Sequence, residues 1–324
     1  MRIYITRKIP EAGLALLGEY EVEVREEQGP IAKSELLKKV VDVDGLLCLL
    51  TDPVDEEVIA AGNRLKCISN YAVGFNNIDV LAATKKGIIV TNTPGVLTDT
   101  TADLAFTLLL SSARRIAESD RFMRAGEYIG WDPMLHLGWD VHGKTLGIVG
   151  FGKIGIAMAR RAKGFDMKVL YHDQARSPGE LEQQLGAQFA EMKDLIAESD
   201  FISLHVPLTD STRHFIGEEQ LGMMKKTAVL VNTSRGPVVD EQALAEALRD
   251  GVIAAAGLDV YENEPRVNPL LEKLPNVTLA AHIGSASHRT RSLMAEMAAE
   301  NLIAGLSGKR PKAIVNPDVL DRKP

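Results

Sequence analysis

The sequence predicts an α/β protein built from two doubly wound parallel sheets. Short runs rich in Val, Ile and Leu alternate with segments of helical periodicity. The alternation is interrupted once, near residue 94, by a long helical segment, and it resumes around a glycine-rich turn. A chain of 324 residues is long enough for about two domains of ordinary size.

The first series contains five strand candidates, separated by helical segments such as 33–41 and 55–61. The strands are predicted at 2–6, 20–24, 45–50, 66–72 and 87–93. Pro94 and Gly95 then precede one long helix, predicted over 98–125, which ends before Gly126.

The second series contains six strand candidates and a final helix over about 288–307. The strands are predicted at 145–150, 168–173, 201–209, 227–234, 253–260 and 277–283. From periodicity alone, the domain onto which the final helix packs stays open.

Composition excludes several classes of function. The formal net charge is −7, and the basic residues are scattered, which argues against nucleic acid or an anionic membrane as the main partner. No apolar run approaches the length of a membrane span. The N-terminus is typical of a first strand rather than of a secretory signal, so we expect a cytoplasmic protein. Cys48 and Cys67 are then expected as buried thiols in a reducing compartment rather than as a disulfide.

The glycine-rich turn is the segment GFGKIG, Gly150 to Gly155, which matches the pattern G-x-G-x-x-G. It follows a predicted strand and begins a predicted helix. Such a turn lets the backbone approach a pyrophosphate, and the helix N-terminus presents N–H groups to the anion. The segment therefore predicts a dinucleotide site that includes Gly150, Gly152, Lys153, Ile154 and Gly155.

Asp173 ends the next predicted strand, 18 residues beyond Gly155. A carboxylate at this distance is suited to hydrogen bonds with both ribose hydroxyls, and it would repel a 2′-phosphate. The sequence therefore favours NAD(H). Arg176 is close enough to turn towards a phosphate, so NADP(H) stays open.

Three ionisable residues follow the ends of apolar strands, where open parallel sheets bind their ligands. They are Arg235, Glu264 and His282. Arginine offers a planar pair of donors to a carboxylate, and histidine can exchange a proton with a carbonyl oxygen. A carboxylate bonded to the imidazole fixes its tautomer. No His or Cys spacing indicates a metal site, so we predict catalysis without a metal.

Together these residues resemble the D-isomer-specific 2-hydroxyacid dehydrogenase family, and within it the glyoxylate/hydroxypyruvate reductases. The resemblance covers nearly the whole chain. It rests on the ordered segments NYAVGFNNIDV, GKTLGIVGFGKIG, HVPLT, LVNTSRGPVVDEQAL, AGLDVYENEP and AAHIGSAS.

The resemblance implies an oxidoreductase that transfers a hydride between NAD(P)H and a small 2-oxo acid. Arg235 would anchor the substrate carboxylate, His282 would be the acid/base, and Glu264 would be its partner. Val73 and Gly74 would offer backbone N–H groups to the substrate. Asp259 would hold the nicotinamide carboxamide. The cofactor would also contact Pro207, Thr233, Ser234, Arg235, His282 and Gly284.

The resemblance also implies an organisation of two Rossmann-like domains with an interdomain cleft. A discontinuous substrate-binding domain would comprise 1–97 plus 286–324, and an NAD-binding domain would comprise 98–285. The last helix would then return to the first domain. The irregular segment 126–143 carries both tryptophans, and the resemblance places it at a homodimer interface, where aromatic residues are favoured.

Other functions within and outside this family stay open at this point. Formate dehydrogenases are disfavoured by Glu264, and phosphite dehydrogenases by Val73. Phosphoglycerate and D-lactate dehydrogenases are alternatives, although a phosphorylated substrate calls for basic residues that YAVGFNN does not supply. A non-catalytic NAD-sensing protein similar to transcriptional corepressors is the alternative from another class.

Overall fold

The computed structural model describes residues 1–321. The chain divides into two compact units. One comprises Met1–Leu97 together with the described residues from Ser285 onward, and the other comprises Thr98–Gly284.

The described residues alternate strands and helices along the chain, as the sequence predicts. The strands are β1 Arg2–Ile5, β2 Glu21–Val24, β3 Gly45–Cys48, β4 Cys67–Asn70, β5 Ile89–Thr91, β6 Thr145–Val149, β7 Lys168–His172, β8 Ala187–Phe189, β9 Phe201–Leu204, β10 Val229–Asn232, β11 Ala255–Leu258 and β12 Val277–Leu279. The helices are α1 Glu11–Leu14, α2 Lys33–Lys39, α3 Glu56–Ala61, α4 Val80–Lys85, α5 Thr98–Ala113, α6 Ile116–Arg124, α7 Lys153–Lys163, α8 Gly179–Leu185, α9 Met192–Glu198, α10 Glu218–Met223, α11 Glu241–Arg249 and α12 His288–Leu306.

The first unit is a five-stranded parallel sheet in the order β2-β1-β3-β4-β5. The final helix α12 belongs to this unit and packs closely on β4. A Cβ at Gly305 would lie 2.6 Å from Cys67 Sγ, and Ser69 Oγ donates to the Ala298 carbonyl over 2.8 Å. Cys48 and Cys67 are both buried free thiols, which confirms that prediction.

The second unit is a seven-stranded parallel sheet in the order β12-β11-β10-β9-β6-β7-β8. The two parallel sheets confirm the predicted α/β class. From β6 the chain adds strands in one direction, and from β9 it adds them in the other. The topological switch point therefore lies between β6 and β9, where open α/β sheets bind ligands beyond the carboxyl ends of their strands.

Several details differ from the sequence prediction. Strand β8 was not predicted, because three residues are too short a run to show a period. The strand predicted over 201–209 ends at Leu204, and the following residues form the loop that carries Pro207.

The long helix predicted over 98–125 is wrong, because the chain forms two helices, α5 and α6. Arg115 lies between them in the left-handed region, with φ +54°. A carbonyl in the last turn of α5 finds its hydrogen-bond partner outside the helix, since the Trp139 N–H donates to the Ala113 carbonyl over 2.8 Å. The Arg115 guanidinium binds Glu118 on α6 over 2.7 and 2.8 Å. None of the helices within residues 1–321 is both long and apolar enough to cross a lipid bilayer.

Candidate active site

The glycine-rich turn lies directly after β6, at the switch point of the larger sheet. Gly150 has φ +91°, and a Cβ there would lie 2.7 Å from the backbone carbon of His205. A Cβ at Gly155 would collide with the Gly150 carbonyl. By contrast, a Cβ at Gly152 would meet no atom within 4 Å. Two of the glycines therefore permit the turn itself, whereas Gly152 leaves open space in front of the helix.

Helix α7 begins at Lys153, with Gly152 as its N-cap and no side-chain cap. The first N–H groups of a helix have no partner within the helix, and its dipole favours negative charge there. Lys153, Ile154 and Gly155 contribute these first N–H groups. The geometry matches an anion site of the size of a phosphate.

Asp173 follows β7 and turns towards the glycine-rich turn. Its Oδ2 accepts the Phe151 N–H over 2.6 Å, and its Oδ1 accepts the Gln174 N–H over 2.7 Å. Each carboxylate oxygen keeps a second acceptor site. The carboxylate is therefore fixed beside the loop and can still accept hydrogen bonds from a sugar.

Arg176 does not point towards an anion site but binds Glu182 on α8. Its Nε and one Nη each lie 2.9 Å from a Glu182 oxygen, which is a bidentate pair. The Tyr171 hydroxyl donates to the same carboxylate over 2.7 Å. Arg176, which the sequence leaves open as a ligand of a 2′-phosphate, is therefore bound to Glu182 instead.

Arg235 lies in the turn that follows β10, and the buried side chain of Asn232 shapes this turn. Asn232 Oδ1 accepts the Ser234 N–H over 3.0 Å and the Ser234 hydroxyl over 2.8 Å. Asn232 Nδ2 donates to the Arg235 carbonyl over 3.0 Å. Burial lowers the pKa of Arg235, and the Glu264 charge opposes that effect. The guanidinium still ionises far above neutrality and stays a cation.

Gly236 fixes the position of Arg235 relative to the next strand end. A Cβ at Gly236 would collide with the backbone of Tyr261 and Glu262. Because only glycine lets these two turns touch, the segment that carries Arg235 lies directly against the segment that leads to Glu264.

Glu264 and His282 form a hydrogen-bonded pair. Glu264 Oε2 and His282 Nδ1 are 2.9 Å apart, and Glu264 Oε1 accepts the Tyr261 N–H over 3.1 Å. Burial favours the neutral acid, but the hydrogen bond and charge of His282 outweigh it, and the pKa of Glu264 is lowered. His282 has φ +52°, a conformation that costs a non-glycine residue free energy and is found where function requires it.

Asp259 anchors the chain directly after His282. Its Oδ1 accepts the Ile283 N–H over 2.7 Å, and its Oδ2 accepts the Gly284 N–H over 2.8 Å. Burial raises the pKa of Asp259, and the two N–H groups and the charge of His282 oppose the shift. The role predicted for Asp259 towards a carboxamide stays a prediction. In addition, Asp259 helps to position His282, because it fixes the two residues that follow it.

The remaining predicted cofactor residues follow β9 and β10. Thr233 Oγ1 is buried and has no hydrogen-bond partner among the described residues. Pro207 is exposed, and its carbonyl accepts the Thr212 hydroxyl over 2.6 Å. An unpartnered buried hydroxyl beside a strand end indicates a position where a ligand completes the hydrogen bonding.

Val73 and Gly74 lie after β4, in the unit with the smaller sheet. Hydrogen bonds to the carbonyls of Ala72 and Val73 fix the peptide groups that carry their N–H groups. The Ala72 carbonyl accepts the Thr93 N–H over 2.8 Å, and the Val73 carbonyl accepts Asn92 Nδ2 over 2.7 Å. Across a trans peptide the carbonyl and the following N–H point in opposite directions. These bonds therefore set the directions of the Val73 and Gly74 N–H groups.

The larger unit brings together Arg235, Glu264, His282 and Asp259, together with the glycine-rich turn and Asp173. Sequence reasoning missed Asn232, although a polar residue two positions before a serine is a known side-chain turn signal. His205 follows β9, its backbone lies against Gly150 of the glycine-rich turn, and burial lowers its pKa to about 4. No group of three or more His, Cys, Asp or Glu within residues 1–321 is arranged to hold a metal ion.

Comparison with known proteins gives consistent matches. Residues 106–284 match the sequence profile of the D-isomer specific 2-hydroxyacid dehydrogenase NAD binding domain. A glyoxylate reductase of Korarchaeum cryptofilum is 55% identical over 327 residues, which is 100% of this chain and 98% of that protein.

Solved structures are similar over the same extent. A glyoxylate reductase from Paecilomyes thermophila has a TM-score of 0.87 at 36% identity, with 98% of each chain covered. An NADPH-dependent glyoxylate/hydroxypyruvate reductase of Sinorhizobium meliloti, in complex with NADP and malonate, has a TM-score of 0.85 at 33% identity. That match covers 100% of this chain and 98% of the other.

We expect Glu264→Gln to lower the thermal midpoint at neutral pH and to have no effect at acid pH. The lowered pKa of Glu264 means that its carboxylate stabilises the fold above the unfolded value of about 4.3, and this stability is lost as the pH falls through the folded-state pKa. Below that pH the wild-type side chain is protonated and resembles glutamine.

Melting curves of both proteins between about pH 7 and about pH 3 measure the difference. Glu272→Gln, at an exposed position in the same unit, is the matched control and should show no such pH dependence. A difference between wild type and Glu264→Gln that stays constant with pH would contradict the ionised pair.

Proposed function

Because the chain belongs to the D-isomer specific 2-hydroxyacid dehydrogenase family, we propose that it reduces glyoxylate and hydroxypyruvate with NADH, giving glycolate and D-glycerate. Family membership makes the protein an NAD(P)-dependent oxidoreductase. The observation that carries the proposal is the convergence of Arg235 and the Glu264–His282 pair on one sheet edge. The substrate choice is supported by the glyoxylate reductases that match the whole chain.

The residues at the switch point fit a dinucleotide. Open space in front of Gly152, the N–H groups of α7 and the unpartnered hydroxyl of Thr233 are features that a bound pyrophosphate and its neighbouring groups would satisfy. The fixed carboxylate of Asp173 and the engagement of Arg176 by Glu182 favour NAD(H) over NADP(H). When bound, the nicotinamide supplies or accepts the hydride.

Arg235 would hold the substrate by its carboxylate. The guanidinium presents two parallel N–H donors, and its cation also polarises the neighbouring 2-oxo group. The N–H groups of Val73 and Gly74 would serve as further donors to a substrate carboxylate.

His282 would exchange the proton. Its Nδ1–H donates to Glu264 Oε2, which leaves Nε2 directed at the substrate. During reduction, the protonated imidazole gives its Nε2 proton to the carbonyl oxygen while C2 receives the hydride, and the product is the 2-hydroxy acid. Glu264 stabilises the imidazolium before the transfer. In the reverse direction the neutral Nε2 takes the proton back.

We also propose a homodimer that forms through the segment 126–143. Seven large apolar side chains of this segment are exposed, and they include Ile129 at 101% and Trp131 at 82%. Their full set is Tyr128, Ile129, Trp131, Met134, Leu135, Leu137 and Trp139. So many exposed large apolar side chains in one segment are typical of an interface. The cytoplasmic location stays a prediction.

Replacing His282 with alanine should lower kcat for glyoxylate reduction by roughly 10²–10⁴-fold, because no other group delivers the proton to the carbonyl oxygen. The purified wild-type enzyme with NADH and glyoxylate gives the reference rate from the loss of NADH absorbance. His288→Ala, on an exposed residue outside the site, is the control and should keep the wild-type rate. A wild-type enzyme without turnover would contradict the proposed function, and a near-normal His282→Ala would contradict the role of His282.

Replacing Asp173 with alanine should raise the ratio of kcat/KM with NADPH to kcat/KM with NADH by about tenfold or more. The change removes a carboxylate that binds the ribose and repels a 2′-phosphate. Steady-state kinetics with both cofactors measure the ratio. Asp194→Ala, in the same unit, should leave it unchanged. An unaltered ratio in Asp173→Ala would contradict the ribose assignment.

Replacing both Ile129 and Trp131 with aspartate should weaken dimer formation by roughly 30-fold or more, since an interface anchor is worth about 2 kcal/mol or more. Analytical ultracentrifugation over a concentration series measures the dissociation constant. Leu81→Asp is the matched control, because Leu81 is 75% exposed and lies outside this segment. A monomeric wild type, or a double variant that dimerises as tightly as wild type, would contradict the interface.

A further inference from the structure

Glu264 lies in the loop 262–268, and a single side chain holds both ends of this loop. Glu241 Oε2 accepts the Glu262 N–H over 2.7 Å, and Glu241 Oε1 accepts the Asn268 N–H over 2.7 Å. Glu241 is buried, with 9% of its surface exposed. Two charge-assisted hydrogen bonds at short distance compensate for burying the carboxylate.

Glu241 is not required as a cap of its own helix. It is the first residue of α11, but Asp240 is the N-cap and accepts the Ala243 N–H over 3.0 Å. An acidic residue in the first turn of a helix ordinarily stays in solvent, where it interacts with the helix dipole. Here the carboxylate instead points at the loop, and each of its oxygens accepts one backbone N–H of the loop.

The middle of the loop is exposed and depends on polar contacts at its ends. Asn263, Pro265 and Arg266 are exposed, and they border a cavity of about 840 Å³ that Glu241 and Gln242 also line. Val267, near the second end of the loop, packs against the core of the larger unit. An exposed segment opens at low cost in free energy, so contacts at the ends of the loop help to determine where Glu264 lies.

Two weaker contacts reinforce the same ends. His214 Nε2 lies 2.6 Å from Glu262 Oε1, and Asn268 Nδ2 donates to Gln242 Oε1 over 2.9 Å. Both involve exposed side chains, whereas the Glu241 bonds are to backbone N–H groups. Glu241 is thus the one buried group described here that joins the two ends.

We propose that Glu241 is a positioning residue for catalysis: it clamps the loop 262–268 so that Glu264 stays bonded to Nδ1 of His282. The inference rests on the proposed function. Glu241 does not touch the reacting groups, and it acts through Glu264 alone. Loss of the clamp leaves Arg235 in place, because Asn232 holds that turn independently.

Glu241→Gln tests the proposal with little change of shape. A glutamine offers one acceptor oxygen and turns an NH₂ donor towards the other backbone N–H, so one end of the loop is released. We expect kcat for glyoxylate to fall about 10- to 100-fold, as for other displaced catalytic groups, with KM changed by less than about threefold.

A double-mutant cycle separates this role from a general loss of structure. In the His282→Ala background, Glu241→Gln should lower kcat by less than about twofold further, because the group through which Glu241 acts is gone. A full additional 10- to 100-fold loss in that background would overturn the proposal. Glu218→Gln, at the exposed first residue of α10, is the matched control and should leave kcat unchanged.

Two further measurements keep the test decisive. If Glu241→Gln does not fold, Glu241→Asp keeps the charge but spans only one of the two N–H groups, and an intermediate loss of kcat is expected. Wild-type kcat in a folded Glu241→Asp would overturn the proposal.

The nitrogen NMR shifts of isotope-labelled His282 report the Nδ1–H bond without any turnover. They should change in Glu241→Gln, and unchanged shifts would overturn the clamp. If the wild type fails to reduce glyoxylate while these shifts change as expected, the proposed function fails and the clamp stands.

Discussion

The contact between Gly236 and the backbone of Tyr261 and Glu262 is the constraint on which the geometry of the site depends. It brings two strand ends together without any intervening side chain, so that the segment of Arg235 touches the start of the loop that carries Glu264 through main-chain atoms. The spacing of these two main-chain segments does not vary with side-chain rotamers. A cation that binds a carboxylate and an imidazole that moves a proton must be held within a fraction of an ångström, and close backbone contact provides that rigidity.

Around this contact, three buried polar side chains bond to backbone groups of the turns. Asn232 shapes the turn of Arg235, Asp259 anchors the residues after His282, and Glu241 joins the ends of the loop that carries Glu264. Each polar group is expensive to bury, and each is compensated by hydrogen bonds of good length. These hydrogen bonds fix the backbone of the irregular turns at the strand ends, as backbone hydrogen bonds between neighbouring strands fix the sheet.

The sequence predicts much of this arrangement where the signal is local. Strand periods located the sheets, and the position of Arg235, Glu264 and His282 after apolar strands identified the edge. Elements that depend on distant atoms were not predictable. The break at Arg115 requires the carbonyl of Ala113 to be satisfied by Trp139, from 26 residues further along the chain. Glu241 has the pattern of an ordinary first-turn acid, and only the path of the loop 262–268 shows that its carboxylate is buried.

The return of α12 to the first sheet has a consequence for biosynthesis. As the ribosome releases the chain, residues 98–284 form a continuous stretch that can complete its seven-stranded sheet before α12 is made. The first sheet, although made earlier, stays without the helix that covers β4 until residues 288–306 emerge. Throughout that interval the face of β4 that carries Cys67 and Ser69 lacks the helix that covers it in the folded protein.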